Sequence, residues 1–265
     1  MQTFYYVHTG HRIGLDRFRR SSAIIKSLGD VDITLLCSDF RIAQIAKEYG
    51  VQNSVGIDVV RNIPQISHHG DRLIFDSDEA NPIMVEDMKN YFSTFIPIKN
   101  DEIAVDETFF INEKKSIKMS YFFGDDDYEK DLEKHLSFLD GLDIHLQLGF
   151  YYFLDYEEML KEKFSNYFEF EEYEEMIKKT DILITASPQA VLESLASHGR
   201  PIYIKREDYS DDFDSLFKNL NVPIIKKFDK EKLTSIIETI DNQDYQNIAY
   251  LSNKITGIIK EKFNL

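Results

Sequence analysis

The chain has 265 residues, enough for one or two domains around a sizeable core. Its 47 acidic residues against 31 Lys and Arg leave a formal net charge of −16, which argues against a duplex or RNA partner and disfavours an anionic membrane surface. A small anionic ligand remains compatible with local positive charge, and the 43% hydrophobic content includes no apolar run near the roughly 18 residues a membrane span needs.

Residues 4–7 are apolar and aromatic and predict a first strand. The N-terminal stretch lacks the basic start and long apolar core of a signal peptide, so a cytoplasmic protein is expected. A polar loop, 8–14, leads into a predicted helix at 16–28 with Phe18, Ala23, Ile24 and Leu28 inward. Arg12, Arg17, Arg19 and Arg20 crowd into this stretch, and the i, i+3 spacing lets Arg17 and Arg20 share a face. Next come a strand at 33–37, a helix at 40–49 closed by Gly50, a weaker segment at 54–61 and a strand at 71–76. The single cysteine, Cys37, reads as a buried structural thiol. The far end of the 71–76 strand carries Asp76, Asp78 and Glu79. Pro82 opens a helix reaching about Tyr91, and 94–99 is a short apolar segment. This alternation predicts a parallel sheet covered on both faces.

Residues 100–115 are polar and aperiodic. The domain boundary is therefore placed within them, giving α/β domains at 1–112 and 113–265. The second begins with a strand at 117–123, Gly124, and the run Asp125, Asp126 and Asp127 capping a helix to about Leu139. A strand at 144–148, a helix at 156–163, a short strand at 167–170 and a helix at 171–179 follow. Residues 181–185 and 201–205 are short β-branched runs joined by a helix, with Ser187 as N-cap, Pro188 at the first helical position, and Gly199 and Pro201 as stops. A helix at 212–219, a strand at 223–226 and two closing helices, the last at 247–263, complete the chain.

In open α/β sheets ligands gather at the carboxyl ends of strands, where a helix N-terminus attracts phosphate. Glu193 lies on the first turns of such a helix, where a carboxylate can accept both hydroxyls of a ribose. The competing reading is a plain βαβ connection with a solvated glutamate. Loops carrying His8, His11, Gly14, Asp16 and Arg17 in the first domain, and Gly124, Ser187, Gln189 and Glu193 in the second, are expected to face a cleft. His68 and His69 are adjacent, and His135 and His145 isolated, so no metal-ligand spacing emerges and no metal or other cofactor is expected.

Residues 13–20, Ile-Gly-Leu-Asp-Arg-Phe-Arg-Arg, resemble the Ile-Gly-x-Gly-His-x-x-Arg signature of the UDP-sugar hydrolase of pseudaminic acid biosynthesis. That enzyme belongs with the two-domain GT-B glycosyltransferases, including the peptidoglycan N-acetylglucosaminyltransferase. Residues 181–201 look like the nucleotide-binding segment of that group, and 121–127 like the strand plus Gly-Gly-x-Asp loop that opens its second domain, here with Gly124 in place of two glycines. Taken in order, the resemblance covers nearly the whole chain. It implies a GT-B-like fold of two Rossmann-like domains and a nucleotide-sugar ligand, UDP-linked, bound without a metal. Glu193 would hold the ribose, Ser187, Gln189 and Gly124 would lie at the phosphates, and Gly14, Arg17 and Arg20 beside the leaving diphosphate. Gly14 and Arg20 match the signature, whereas its catalytic His is replaced by Asp16 and Arg17. An arginine, with a pKa above about 12, is no base. Proton transfer then passes to His11 or Asp16, or the reaction has changed, or the chain is a non-catalytic binding or regulatory protein of a glycosylation pathway. The expected activity is nucleotide-sugar hydrolysis or glycosyl transfer in surface-glycan biosynthesis.

Overall fold

The computed structural model describes residues 1–249 and 254–264, which divide into two units, Met1–Asp106 with Leu251–Leu265, and Glu107–Tyr250. In the first, β1 (Thr3–Val7), α1 (Asp16–Leu28), β2 (Ile33–Cys37), α2 (Phe40–Ile45), β3 (Asn53–Gly56), α3 (Ile63–Ile66), β4 (Arg72–Asp76), α4 (Pro82–Tyr91) and β5 (Thr94–Pro97) alternate along the chain. The sheet is parallel, in the order β3-β2-β1-β4-β5, and Val7 pairs with Cys37 on one side and Asp76 on the other. Every residue of β1 is buried, as a central parallel strand covered on both faces requires. Phe4, Tyr6, Leu36, Leu73 and Phe75 pack into one core with Ile57, Ile63 and Phe92.

Two elements differ from expectation. The helix predicted at 40–49 stops at Ile45, because the amides of Glu48, Tyr49 and Gly50 bond to carbonyls three residues back, at 2.9, 3.1 and 3.0 Å, and tighten the chain into turns. The weak segment 54–61 resolves into β3 and a single 3₁₀ turn, Val60–Asn62.

The second unit contains β6 (Ile117–Phe122), α5 (Asp131–Lys134), β7 (His145–Gln147), α6 (Leu154–Lys163), β8 (Tyr167–Phe168), α7 (Tyr173–Lys179), β9 (Thr180–Thr185), α8 (Pro188–Ala196), β10 (Arg200–Lys205), α9 (Asp212–Asn219), β11 (Ile224–Lys226) and α10 (Lys230–Thr239). Its sheet is parallel in the order β11-β10-β9-β6-β7-β8. The helix expected up to Leu139 is broken: α5 is a single turn followed by the 3₁₀ turn Leu136–Leu139. Asp127 fixes this by accepting from the amides of Asp131 at 2.6 Å and Leu132 at 3.1 Å, which starts the helix late.

The expected partition at 112/113 shifts at both ends. Residues 107–110 form a 3₁₀ turn with Phe109 buried, packed on α7 and α8, so they belong to the second unit. The closing helix, α11 (Lys254–Phe263), returns to the first unit and packs on α1 and β5. It buries Ile255, Ile259 and Phe263 and links Thr256 to Ser27 at 2.7 Å. This helix was expected to begin at 247, yet 247–249 are not helical, and 250–253 lie outside the described residues.

In each sheet the strand order reverses beside the unit's first strand: between β1 and β4, and between β6 and β9. Loops leaving the two strands of such a pair diverge to opposite sides, opening a crevice at their carboxyl ends.

Candidate functional site

At the second unit's crevice, Phe122 of β6 pairs with Thr185 of β9, and Ala186 donates its amide to the Phe122 carbonyl at 3.1 Å. Beyond β6, Gly124 has φ +132°, and a Cβ there would lie 2.7 Å from Asp126 Oδ1, so the position requires glycine. Beyond β9, Thr185 Oγ1 accepts from the Ser187 amide at 3.0 Å, and Ser187 Oγ accepts from the Ala190 amide at 3.1 Å. Ser187 is thus the N-cap of α8, with Pro188 as the first helical residue. One turn in, Gln189 Nε2 donates to Glu193 Oε1 at 3.0 Å and the Tyr173 hydroxyl to Glu193 Oε2 at 2.5 Å. Ser187, Gln189 and Glu193 are all buried, Glu193 to 1% exposure, which sets aside the solvated glutamate of a plain connection.

The aspartate run after Gly124 is buried and engaged. Asp125 accepts from the Phe150 amide at 3.2 Å, and Asp126 accepts from Arg206 Nη1 at 2.9 Å. Burial raises the Asp127 carboxyl above its ordinary range despite a 2.5 Å hydrogen bond from the Tyr156 hydroxyl. Arg206 lies between the rings of Phe123 and Tyr209, at 4.7 and 4.6 Å. Sequence reasoning missed Arg206 and Tyr209. Their signal was the position of Arg206 directly after β10, at the same sheet edge as Gly124.

At the first unit's crevice, His8 follows β1 and donates its amide to the Asp76 carbonyl of β4 at 3.0 Å. The chain then folds into a tight turn: the amides of Ile13 and Gly14 bond to the Gly10 carbonyl at 2.9 and 2.8 Å, and Gly14 takes φ +74°. His11 and Arg12 lie exposed at its tip. Asp16 is the first residue of α1 and pairs with Arg19 at 3.8 Å.

The two expected phosphate arginines part company. Arg20 is buried, holds Asp76 through Nε at 3.0 Å and Nη2 at 2.6 Å, and donates through Nη1 to the carbonyls of Lys99, Asn100 and Glu102. Its guanidinium is committed to the fold rather than turned to a ligand. Arg17 stays at the crevice, donating to Asp78 Oδ1 at 2.9 Å and Asn100 Oδ1 at 3.1 Å.

The crevice also collects groups that sequence reasoning left unassigned. His8 Nδ1 lies 2.9 Å from Asp78 Oδ1, and its Nε2 lies 3.9 Å from Glu79 Oε1. Glu79 is bonded by the Tyr6 hydroxyl and, at 3.2 Å, by Ser77 Oγ. Hydrogen bonds from His8 and then Arg17 hold the Asp78 carboxyl far below the usual range. Asp76, Asp78 and Glu79 are visible in the sequence as an acidic strand end. Their meeting with His8 depends on β1 and β4 being neighbours. Among the described residues no group of three or more His, Cys, Asp or Glu is placed to hold a metal ion.

Solved structures similar to the chain include the UDP-GlcNAc 2-epimerase of Methanocaldococcus jannaschii in complex with UDP-GlcNAc and UDP, at 12% identity and TM-score 0.59, covering 98% of this chain and 100% of that one. The S. aureus MnaA–UDP structure matches at 9% identity and TM-score 0.56, over 100% of this chain and 98% of that one. The spinosyn forosaminyltransferase SpnP matches at 7% identity and TM-score 0.52, over 100% and 95%. The chain has a two-domain, GT-B-like α/β fold. No protein-family model and no curated protein sequence matches it. Among the described residues no helix is long and apolar enough to cross a membrane.

Proposed function

We propose that the chain binds a nucleotide-activated sugar, UDP-linked, through the second unit's crevice, and hydrolyses it or transfers the sugar in surface-glycan biosynthesis. The observation that carries this reading is the placing of the capped N-terminus of α8 opposite Gly124 at the β6/β9 switch point, with Glu193 buried one turn behind it. A helix N-terminus at such a point favours a diphosphate. Glu193 accepts from Tyr173 and Gln189, and a ribose would bind by exchanging those bonds for bonds from its own hydroxyls. Two of the similar structures carry UDP by their names, which supports uridine over other nucleosides.

Calorimetric titration with UDP, ADP and GDP tests the proposal. UDP is expected to bind, and Glu193→Ala to weaken it by about 1–3 kcal/mol, the worth of charge-assisted hydrogen bonds. Equal affinity for all three nucleotides, or none for UDP, counts against it. The second reading, a non-catalytic binding or regulatory protein of a glycosylation pathway, is favoured by Asp16 and Arg17 standing where the resembled signature has its catalytic His. UDP-sugar binding without turnover would select it.

A further inference from the structure

We propose that Gln147 makes the second unit's crevice specific for uracil over cytosine, its Oε1 accepting the N3–H of the base; the proposal rests on the nucleotide-sugar reading above. Its first support is register. Tyr121 of β6 pairs with Leu146 of β7 and with Ile184 of β9, so the next residues, Gln147, Phe122 and Thr185, form a row across the carboxyl ends of the three strands. Tyr121, Leu146 and Ile184 share one core cluster, and strand alternation turns Gln147, Phe122 and Thr185 to the opposite face of the sheet. That face also holds Glu193. The Phe122 ring lies 5.3 Å from the ring of Tyr173, whose hydroxyl bonds to Glu193. Neighbouring strands about 4.8 Å apart put Gln147 roughly 10 Å from Thr185, which leaves room for a base to extend along the row from a ribose at Glu193.

The second support is orientation. Gln147 is fully buried, and its Nε2 donates to the carbonyls of Leu148 and Glu169, both at 2.9 Å. Two carbonyls on the nitrogen fix which way the carboxamide faces. Oε1 is the atom turned away from them, and among the described residues it has no hydrogen-bond partner. A buried acceptor without a donor is costly, and a donor brought by a ligand removes that cost in the bound state. The neighbouring loops are apolar. Phe150, after β7, and Phe170, after β8, are half-buried with their rings edge to face at 4.8 Å, a setting suited to a flat heterocycle.

Uracil carries a proton on N3, whereas cytosine carries a lone pair there. Facing Oε1, uracil makes a hydrogen bond; cytosine sets two lone pairs against each other and leaves the buried oxygen unpaired. The carboxamide cannot turn over to suit cytosine without giving up both of its carbonyl partners.

The test is calorimetric titration of the protein with UDP and CDP, and with 3-methyl-UDP and 5-methyl-UDP. The last two carry the same added methyl group, but only 5-methyl-UDP keeps the N3 proton. CDP should bind at least about 100-fold more weakly than UDP, and 3-methyl-UDP at least about tenfold more weakly than 5-methyl-UDP, as expected where a buried polar group is left unpaired. Gln147→Met, close in volume but without the carboxamide, should narrow the ratio of UDP to CDP affinity at least about tenfold, its folding being checked by thermal unfolding. A merely structural role, in which Gln147 only holds the Glu169 carbonyl, would weaken both nucleotides alike and leave that ratio unmoved. Should Gln147→Met fail to fold, Gln147→Asn, which draws Oε1 back by one methylene, takes its place and should narrow the ratio in the same direction. The proposal is overturned if the parent binds UDP and CDP alike, if the two methyl analogues bind alike, or if the folded variant keeps the parent's ratio. Absence of UDP binding by the parent overturns instead the nucleotide reading, and this proposal with it.

Discussion

Arg20 and Asp76 form a buried ion pair whose two hydrogen bonds, 3.0 and 2.6 Å, join α1 to β4, while the same guanidinium bonds three carbonyls of the segment after β5. Removing one partner of such a pair leaves the other charge uncompensated in a poorly solvating interior, at a cost of about 3–5 kcal/mol. Arg20→Ala should therefore destabilise the first unit by that amount in urea unfolding. Adding Asp76→Leu to Arg20→Met should recover only part of the loss, because the carbonyls of Lys99, Asn100 and Glu102 and the Tyr5 hydroxyl lose these partners; a cost for Arg20→Ala below about 1 kcal/mol would mean the pair behaves as a solvated one. This residue also marks how far the site was legible. The spacing that puts Arg17 and Arg20 on one face is sound, and both do reach toward Asp76, Arg17 with Nε at 3.8 Å. What spacing cannot supply is depth, and depth makes Arg20 part of the scaffold while Arg17 remains at the crevice. The His8–Asp78 pair was harder to foresee, since seventy residues separate its members and nothing local in either loop points to the other.

At the scale of elements, α8 shows why part of the fold could be read directly. A Ser-Pro start, a Gly-x-Pro stop and a short β-branched strand on each side admit few other conformations, and Ser187 caps as expected. Ser187→Ala should cost about 1 kcal/mol by depriving the Ala190 amide of its acceptor, and Ser187→Gly less. Thermal or urea unfolding of the two variants gives the order, and equal losses would indicate that the side chain's packing matters more than its bond. The failures have the opposite character. Where α2 was expected to continue, turn hydrogen bonds three residues apart replace helical ones. Where a long helix was expected after Gly124, the chain runs irregularly until Asp127 caps its start four residues on. In both places polar side chains and backbone groups settle locally on bonds that compete with a helix, and no apolar period reveals which wins.

At the scale of the whole molecule, the first unit is discontinuous: residues 1–106 are joined by α11, whose buried face of Ile255, Ile259 and Phe263 lies within it, with Arg72 4.9 Å over the Phe263 ring. A chain ending at residue 249 should keep hydrogen-exchange protection in β6 and β9 while β1 and β5 lose theirs, because burying three such side chains is worth about 1.5–3 kcal/mol each, comparable in sum to the stability of a domain. Equal protection in both units would show α11 to be dispensable. The same feature sets an order of events on the ribosome. The polypeptide emerges from its N-terminus, so β1 to β5 are synthesised first, yet the helix that covers α1 arrives only after β6 to β11 have been translated. The second unit has all its own segments before the first does, and the earliest residues to be made wait longest for their final packing partner.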